Sequence, residues 1–155
     1  MNAIVKINLN IFQEKFIRKE FDCLTGPVKV TRTSDIGKFI YSTVQWTKER
    51  PLDDDKVLSI ILPDSNSMHP EFFWAYLTKE REKWISDFIQ SSFNLNLDLF
   101  FAKGYRQNYR QKDIANAFIY HYGLPDNMET WEMILKRDFR KRKNIRKIIA
   151  ENILK

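Results

Sequence analysis

Residues 136–147 read KRDFRKRKNIRK, and eight of the twelve are basic: Lys136, Arg137, Arg140, Lys141, Arg142, Lys143, Arg146 and Lys147. Asp138 is the only acid among them. Cations at this density neutralise phosphates, and each neutralised phosphate releases condensed counterions. Upstream, Arg106, Arg110 and Lys112 are the expected backbone clamps. Tyr105 and Tyr109 interleave with these arginines, the composition of a stacking surface; core packing is the equally good account of both tyrosines.

Other candidates are weaker. Asp53, Asp54 and Asp55 offer carboxylate oxygens to Mg²⁺, but adjacent loop carboxylates repel and usually stay hydrated. His69 and His121 have no partner at metal-ligand spacing. Cys23 has no basic neighbour to lower its pKa and reads as structural. Phe72, Phe73, Trp74 and Tyr76 are better core than base-stacking residues. No nucleophile elbow, phosphate loop or dinucleotide fingerprint occurs. We therefore expect no enzyme, no metal and no cofactor. A small nuclease built on Asp53 to Asp55, Asp64 or Glu71 ranks last.

Composition agrees with a folded chain. Of 155 residues, 43% are hydrophobic and 14% aromatic, levels that disordered chains lack. One cysteine excludes a disulfide framework and favours a cytosolic setting. No run approaches the roughly 18 apolar residues of a membrane span, and no leader is visible, so no membrane partner is expected. The net charge of +6 is unevenly placed. Residues 1–102 hold 13 basic and 14 acidic residues, whereas residues 103–155 hold 13 and 6. The excess lies in the last third, which suggests a mixed region, 1–102, and a basic helical region, 103–155.

Periodicity supplies the elements. Val5, Ile7, Leu9 and Ile11 alternate, so a strand is expected over about 3–10. Phe12 to Asp22 suits a short helix, and Val28 and Val30 a short strand. Ser34 caps a helix over about 35–46, which Gly37 should weaken. Val57 to Leu62 reads as a buried strand, Asp64 to Pro70 as a loop, and Phe72 to Leu77 as a strand or a helix start. Thr78 caps a helix bearing Arg81, Trp84, Ile85, Phe88 and Ile89. A separate helix should follow Asn94, with Leu97, Phe100 and Phe101, ended or kinked by Gly104. Then comes Tyr109 to Tyr122, stopped by Gly123 and Pro125. The last helix opens on a capping box of Asp126 and Glu129, with Thr130 as the other candidate cap. Its apolar side should hold Met128, Trp131, Ile134, Leu135 and Phe139. A second seam follows at Ile145, Ile148, Ile149 and Ile153. The fold class is α+β, mostly helical, with a small N-terminal sheet.

The stretch Lys112-Asp113-Ile114-Ala115, an apolar helix, a turn, and then Trp131-x-x-Ile134-Leu135-Lys136-Arg137 resembles a helix–turn–helix DNA-binding unit. More loosely it is similar to small phage and mobile-element proteins of that type. Ala115 is followed four residues later by Ile119, where that pattern has glycine. The resemblance implies DNA as partner, with RNA as the other polyanion, and a regulatory or maintenance role. Two such basic helices would suit a homodimer or higher oligomer. Two alternatives stand beside it. The basic run can be a solvated helix face, or the chain can be a structural or assembly subunit that oligomerises through its last helix.

Overall fold

The computed structural model describes residues 3–63 and 74–155. His69, Asp64, Glu71, Phe72, Phe73 and the loop over Asp64 to Pro70 lie outside them. The described residues form an α+β, mostly helical protein of five helices and five short strands. The chain divides into two compact units, Met1–Ser92 and Phe93–Lys155. In the first lie β1 (Ile4–Ile7), α1 (Ile11–Glu20), β2 (Val28–Lys29), α2 (Asp35–Thr43), β3 (Gln45–Thr47), β4 (Leu58–Ile61) and β5 (Trp74–Tyr76). Helix α3 (Lys79–Arg106) belongs to both, and α4 (Gln111–Tyr122) and α5 (Met128–Leu154) complete the second.

In the first unit β4 is the central strand of three. It pairs antiparallel with β1, Val5 opposite Ile60, and parallel with β2, Val28 opposite Ile60. Val5, Ile7, Val28, Leu58, Ile60 and Leu62 are all buried, as their alternation requires. Strands β3 and β5 form a separate antiparallel pair, so Phe72 to Leu77 resolves as a strand in its described part.

Polar residues fix the helices of this unit. Asn10 and Gln13 make a reciprocal capping box at the start of α1. Gln13 is also buried, and its amide nitrogen donates to Ser86 Oγ at 3.0 Å and Gln90 Oε1 at 3.3 Å on α3. Arg81 donates to the Thr43 carbonyl at 2.8 Å, satisfying an end group of α2. Phe39 stacks on Phe88 at 4.4 Å.

Four expectations need correction. The helix expected over about 35–46 ends at Thr43, and Gln45–Thr47 is strand β3 instead. The strand expected from Val57 is Leu58–Ile61, and Val57 is exposed. The helix after Thr78 and the helix after Asn94 are one element, because Ser91, Ser92 and Asn94 interrupt the hydrophobic pattern but not the backbone ladder. Gly37 does not merely weaken α2. Ser34 Oγ accepts from its amide at 3.0 Å, and a Cβ on Gly37 would lie 1.7 Å from the Thr31 carbonyl oxygen. The glycine is there for close backbone approach.

Gly37→Ala should therefore destabilise the chain despite the better helix propensity of alanine. That propensity is worth about 1 kcal/mol. A methyl driven into backbone should cost about 1–3 kcal/mol or more. A thermal melt showing an unchanged or raised Tm would refute the close approach.

Candidate nucleic-acid interface

The second unit packs the C-terminal half of α3 against α4 and α5. Phe118 is its centre, meeting Phe93 and Phe100 edge-on at centroid distances of 5.6 and 5.4 Å. Ile114, Ala115, Phe118, Ile119 and Tyr122 are buried along α4, as its spacing predicts. Gly123 closes α4 in the left-handed conformation, φ 61°, with its amide on the Ile119 and Tyr120 carbonyls. His121 lies 6.3 Å from the Phe100 ring, a packing role.

Helix α5 starts differently from the expectation. Asn127, not Asp126, is its cap: Asn127 Oδ1 accepts from the Thr130 amide at 2.9 Å and the Thr130 hydroxyl at 3.0 Å. Thr130 is thereby buried with its hydroxyl satisfied. The buried residues of α5 are Thr130, Ile134 and Asp138, one per turn. Met128 and Phe139, expected inside, are 73% and 61% exposed, and Trp131 and Leu135 are half-buried. Hydrophobicity ranks methionine and phenylalanine above threonine and aspartate. It cannot register that these two polar groups find partners.

Asp138 is 6% exposed. Its Oδ2 accepts from the Tyr105 hydroxyl at 2.6 Å and the Gln111 amide at 2.8 Å. Arg142 Nε stands 3.1 Å from the same oxygen as an ion pair, without the alignment of a hydrogen bond. The Arg142 guanidinium also lies over the Tyr105 ring, 5.4 Å from its centroid. About two turns back from Tyr105 on α3, Asp98 receives Arg137 through both oxygens, at 3.0 and 2.9 Å, with Lys141 at 3.7 Å.

This geometry divides the predicted basic residues. Arg137 and Arg142 face the domain and pair closely with Asp98 and Asp138, and Lys141, though exposed, lies loosely on the same side at 3.7 Å from Asp98. Lys136, Arg140, Lys143 and Lys147 recur at i, i+4, i+7 and i+11, so they share one stripe about 16 Å long on the opposite side of the helix. All four are exposed, as is Arg146 on the flank. Lys136 and Lys147 have loose partners, Glu132 at 3.7 Å and Glu151 at 3.9 Å. Among the described residues no carboxylate pairs with Arg140, Lys143 or Arg146.

Arg106 ends α3, Arg110 is the residue before α4 without a side-chain capping bond, and Lys112 lies in the first turn of α4; all three are exposed. The tyrosine pair separates too. Tyr105 is engaged with Asp138, whereas Tyr109 is 57% exposed. In the first unit Lys6 stands 3.8 Å from both Asp53 and Asp54. Among the described residues no group of three metal-ligating side chains converges. Cys23 donates to the Phe21 carbonyl at 3.2 Å. No described helix is long and apolar enough to cross a membrane.

Comparison with protein-family models, with curated proteins and with solved structures finds no match.

Burial, then the bond to Asp138 and its negative charge, push the Tyr105 phenol up to about 12, against the opposing influence of Arg142. Below the ordinary tyrosine value of about 10 the phenol is neutral in both folded and unfolded chains, so its contribution is constant. Above about 10 the unfolded phenol ionises while the folded one keeps its proton, and stability falls as pH rises towards about 12. Tyr105→Phe should lose about 1.5 kcal/mol at neutral pH, the low end for a bond to a charged group. The variant should also show a shallower decline above pH 10. Urea midpoints from pH 8 to 11 check this; parallel curves would sever Tyr105 from Asp138.

Proposed function

We propose that the chain binds nucleic acid, DNA first, through the outward stripe of α5, in a regulatory or maintenance role. One observation carries this reading. The inward cations of the basic run are neutralised by the domain's own carboxylates, and the outward ones are left as an aligned row on a continuous helix. A helix with one face anchored and the opposite face cationic is suited to lie against phosphates or enter a major groove. The α4–turn–α5 order is in keeping with a helix–turn–helix arrangement. A cytosolic setting fits the single, internally bonded thiol.

Replacing Lys136, Arg140, Lys143 and Lys147 together with glutamine should weaken duplex binding. It should also reduce the slope of log affinity against log salt by about 3–4, close to 0.9 per lost phosphate contact. Arg137→Gln, by contrast, should lower stability and leave the slope nearly unchanged. Fluorescence anisotropy on a labelled duplex between about 50 and 200 mM salt distinguishes them. An unaltered slope in the fourfold variant would remove the stripe from any polyanion interface.

A second reading rests on the far end of α5. From Lys143 onward no side chain is buried, yet Ile145, Ile148, Ile149 and Ile153 make an apolar stripe, each between 47% and 78% exposed. It continues the face that carries Ile134 and Asp138. Self-association through this stripe makes the chain an assembly subunit, or brings two cationic rows together on one DNA. Light scattering should then show a dimer that Ile145→Ser with Ile149→Ser returns to monomer. A monomer at high concentration in the parent chain eliminates this reading.

A further inference from the structure

A slot of about 490 Å³ opens between α3 and α4 inside the second unit. Its apolar floor is Phe100 and Ile114, with Ala117 exposed beside them. Gly104 makes the floor possible, since a Cβ there would lie 2.6 Å from Ile114 Cδ1. Four polar side chains line the same space: Lys103, Gln107, Tyr109 and Asp113. All four residues are exposed, and none of their side chains makes a hydrogen bond or ion pair with another described residue. Tyr120, one turn beyond Ala117 on the same side of α4, is 90% exposed.

The lining selects a ligand chemistry. Phe100, Ile114 and Ala117 ask for an apolar body, and the Tyr109 ring at the edge for one that is flat. The exposed Asp113 carboxylate accepts hydrogen bonds, so it favours a ligand that presents N–H or O–H donors. This disfavours a fatty acid or other purely anionic amphiphile. Lys103 lines the slot, and Arg106, Arg110 and Lys112 lie on the adjoining segment before Asp113, so an anionic arm on the ligand would meet cations there. A flat ring, a donor edge and an anionic tail together describe a nucleotide. Guanine fits the carboxylate best, because its ring N–H and exocyclic amine are adjacent and can pair with both oxygens. The size lies within the range of roughly 300–1,000 Å³ for small-ligand sites.

We propose that this slot holds an unpaired nucleobase, guanine in preference, stacked against Tyr109 and hydrogen-bonded to Asp113, with its phosphate on the Lys103–Lys112 segment. The proposal deepens the nucleic-acid reading: it names an unpaired base as a target of the same unit. The same chemistry is offered by a free nucleotide and by an unpaired position in a strand.

The test is a titration of the ¹⁵N-labelled full chain, followed by amide shifts. The probes are guanosine, adenosine, cytidine and uridine monophosphates, ribose 5-phosphate, and a short single strand with one guanine or an abasic site in its place. Guanosine monophosphate should shift amides of residues 100–117 and saturate at about 1 mM or below, as a single stacked base permits. Ribose 5-phosphate should not reach that affinity. Ala117→Trp adds bulk at an exposed position; it should retain the parent melt and lose binding at least tenfold. Asp113→Asn should erase the preference for guanine over the other bases. A strand that binds more than tenfold tighter than the nucleotide, and loses this on the abasic change, identifies the source as a strand; equal affinities identify the free nucleotide.

Shifts absent for every nucleotide at about 10 mM, or unaffected by Ala117→Trp, overturn the slot. The fourfold glutamine variant of α5 separates the two claims. If it abolishes duplex binding and leaves nucleotide shifts at 100–117, both sites stand. If duplex binding is absent in the parent chain while nucleotides still bind, the α5 reading falls alone.

Discussion

Asp138 is an acid set into the most basic stretch of the chain, and the orientation of α5 follows from where its carboxylate goes. A helix with cations on nearly every side has only a narrow apolar face to orient it, with Ile134 its one fully buried hydrophobic residue. A buried carboxylate bonded to Tyr105 and Gln111 selects one rotation, and Arg142 then falls beside it. Asp98, about two turns back along α3 from Tyr105, makes a second anchor by taking Arg137 through both oxygens. The desolvation cost of a buried ion is offset only when its lone pairs are well filled, and Asp138 has two donors and a cation. Removing Asp138 leaves Arg142 facing the domain without its counter-charge, the costly half of such a pair.

Much of this was readable from residue spacing, and what was not has a common physical cause. The strands around Val5 and Ile60, the Ser34 and Thr78 caps, the Gly123 stop and the buried face of α4 all follow from periodicity and local capping chemistry. Those signals are confined to neighbouring residues. Two buried polar groups that such signals do not place have partners distant in sequence. Gln13 reaches more than seventy residues to Ser86, and Asp138 reaches back to Tyr105 and Gln111. Nothing within a turn of Asp138 announces that it is buried, and Met128 and Phe139 were therefore placed inside in its stead.

The candidate interface was legible as a region but not as a surface. Composition located the basic run, yet it ranked Arg137, Lys141 and Arg142 equally with Arg140 and Lys143. A clue was available in retrospect. Positions 137 and 141 are four apart, as are 138 and 142, so each pair shares a helix face with Ile134 and Ile145 or lies beside it. Tyr105 and Tyr109 likewise looked equivalent by type. The end of α3 and the loop before α4 separate them, turning one inward and leaving the other at the surface.

The overhanging end of α5 has a mechanical meaning of its own. Beyond Arg142 the helix has no buried side chain, so its amides are guarded only by their own ladder and by Lys147 with Glu151. Meanwhile Arg140 and Lys143 are three apart, and Lys143 and Lys147 four apart. Such like-charge neighbours each work against the helix by roughly 0.2–0.5 kcal/mol. On the proposed reading, an anion lying along the row would cancel that repulsion, so capture would favour winding of this end. Part of the attraction would then go into ordering the helix, which would make the grip easy to release.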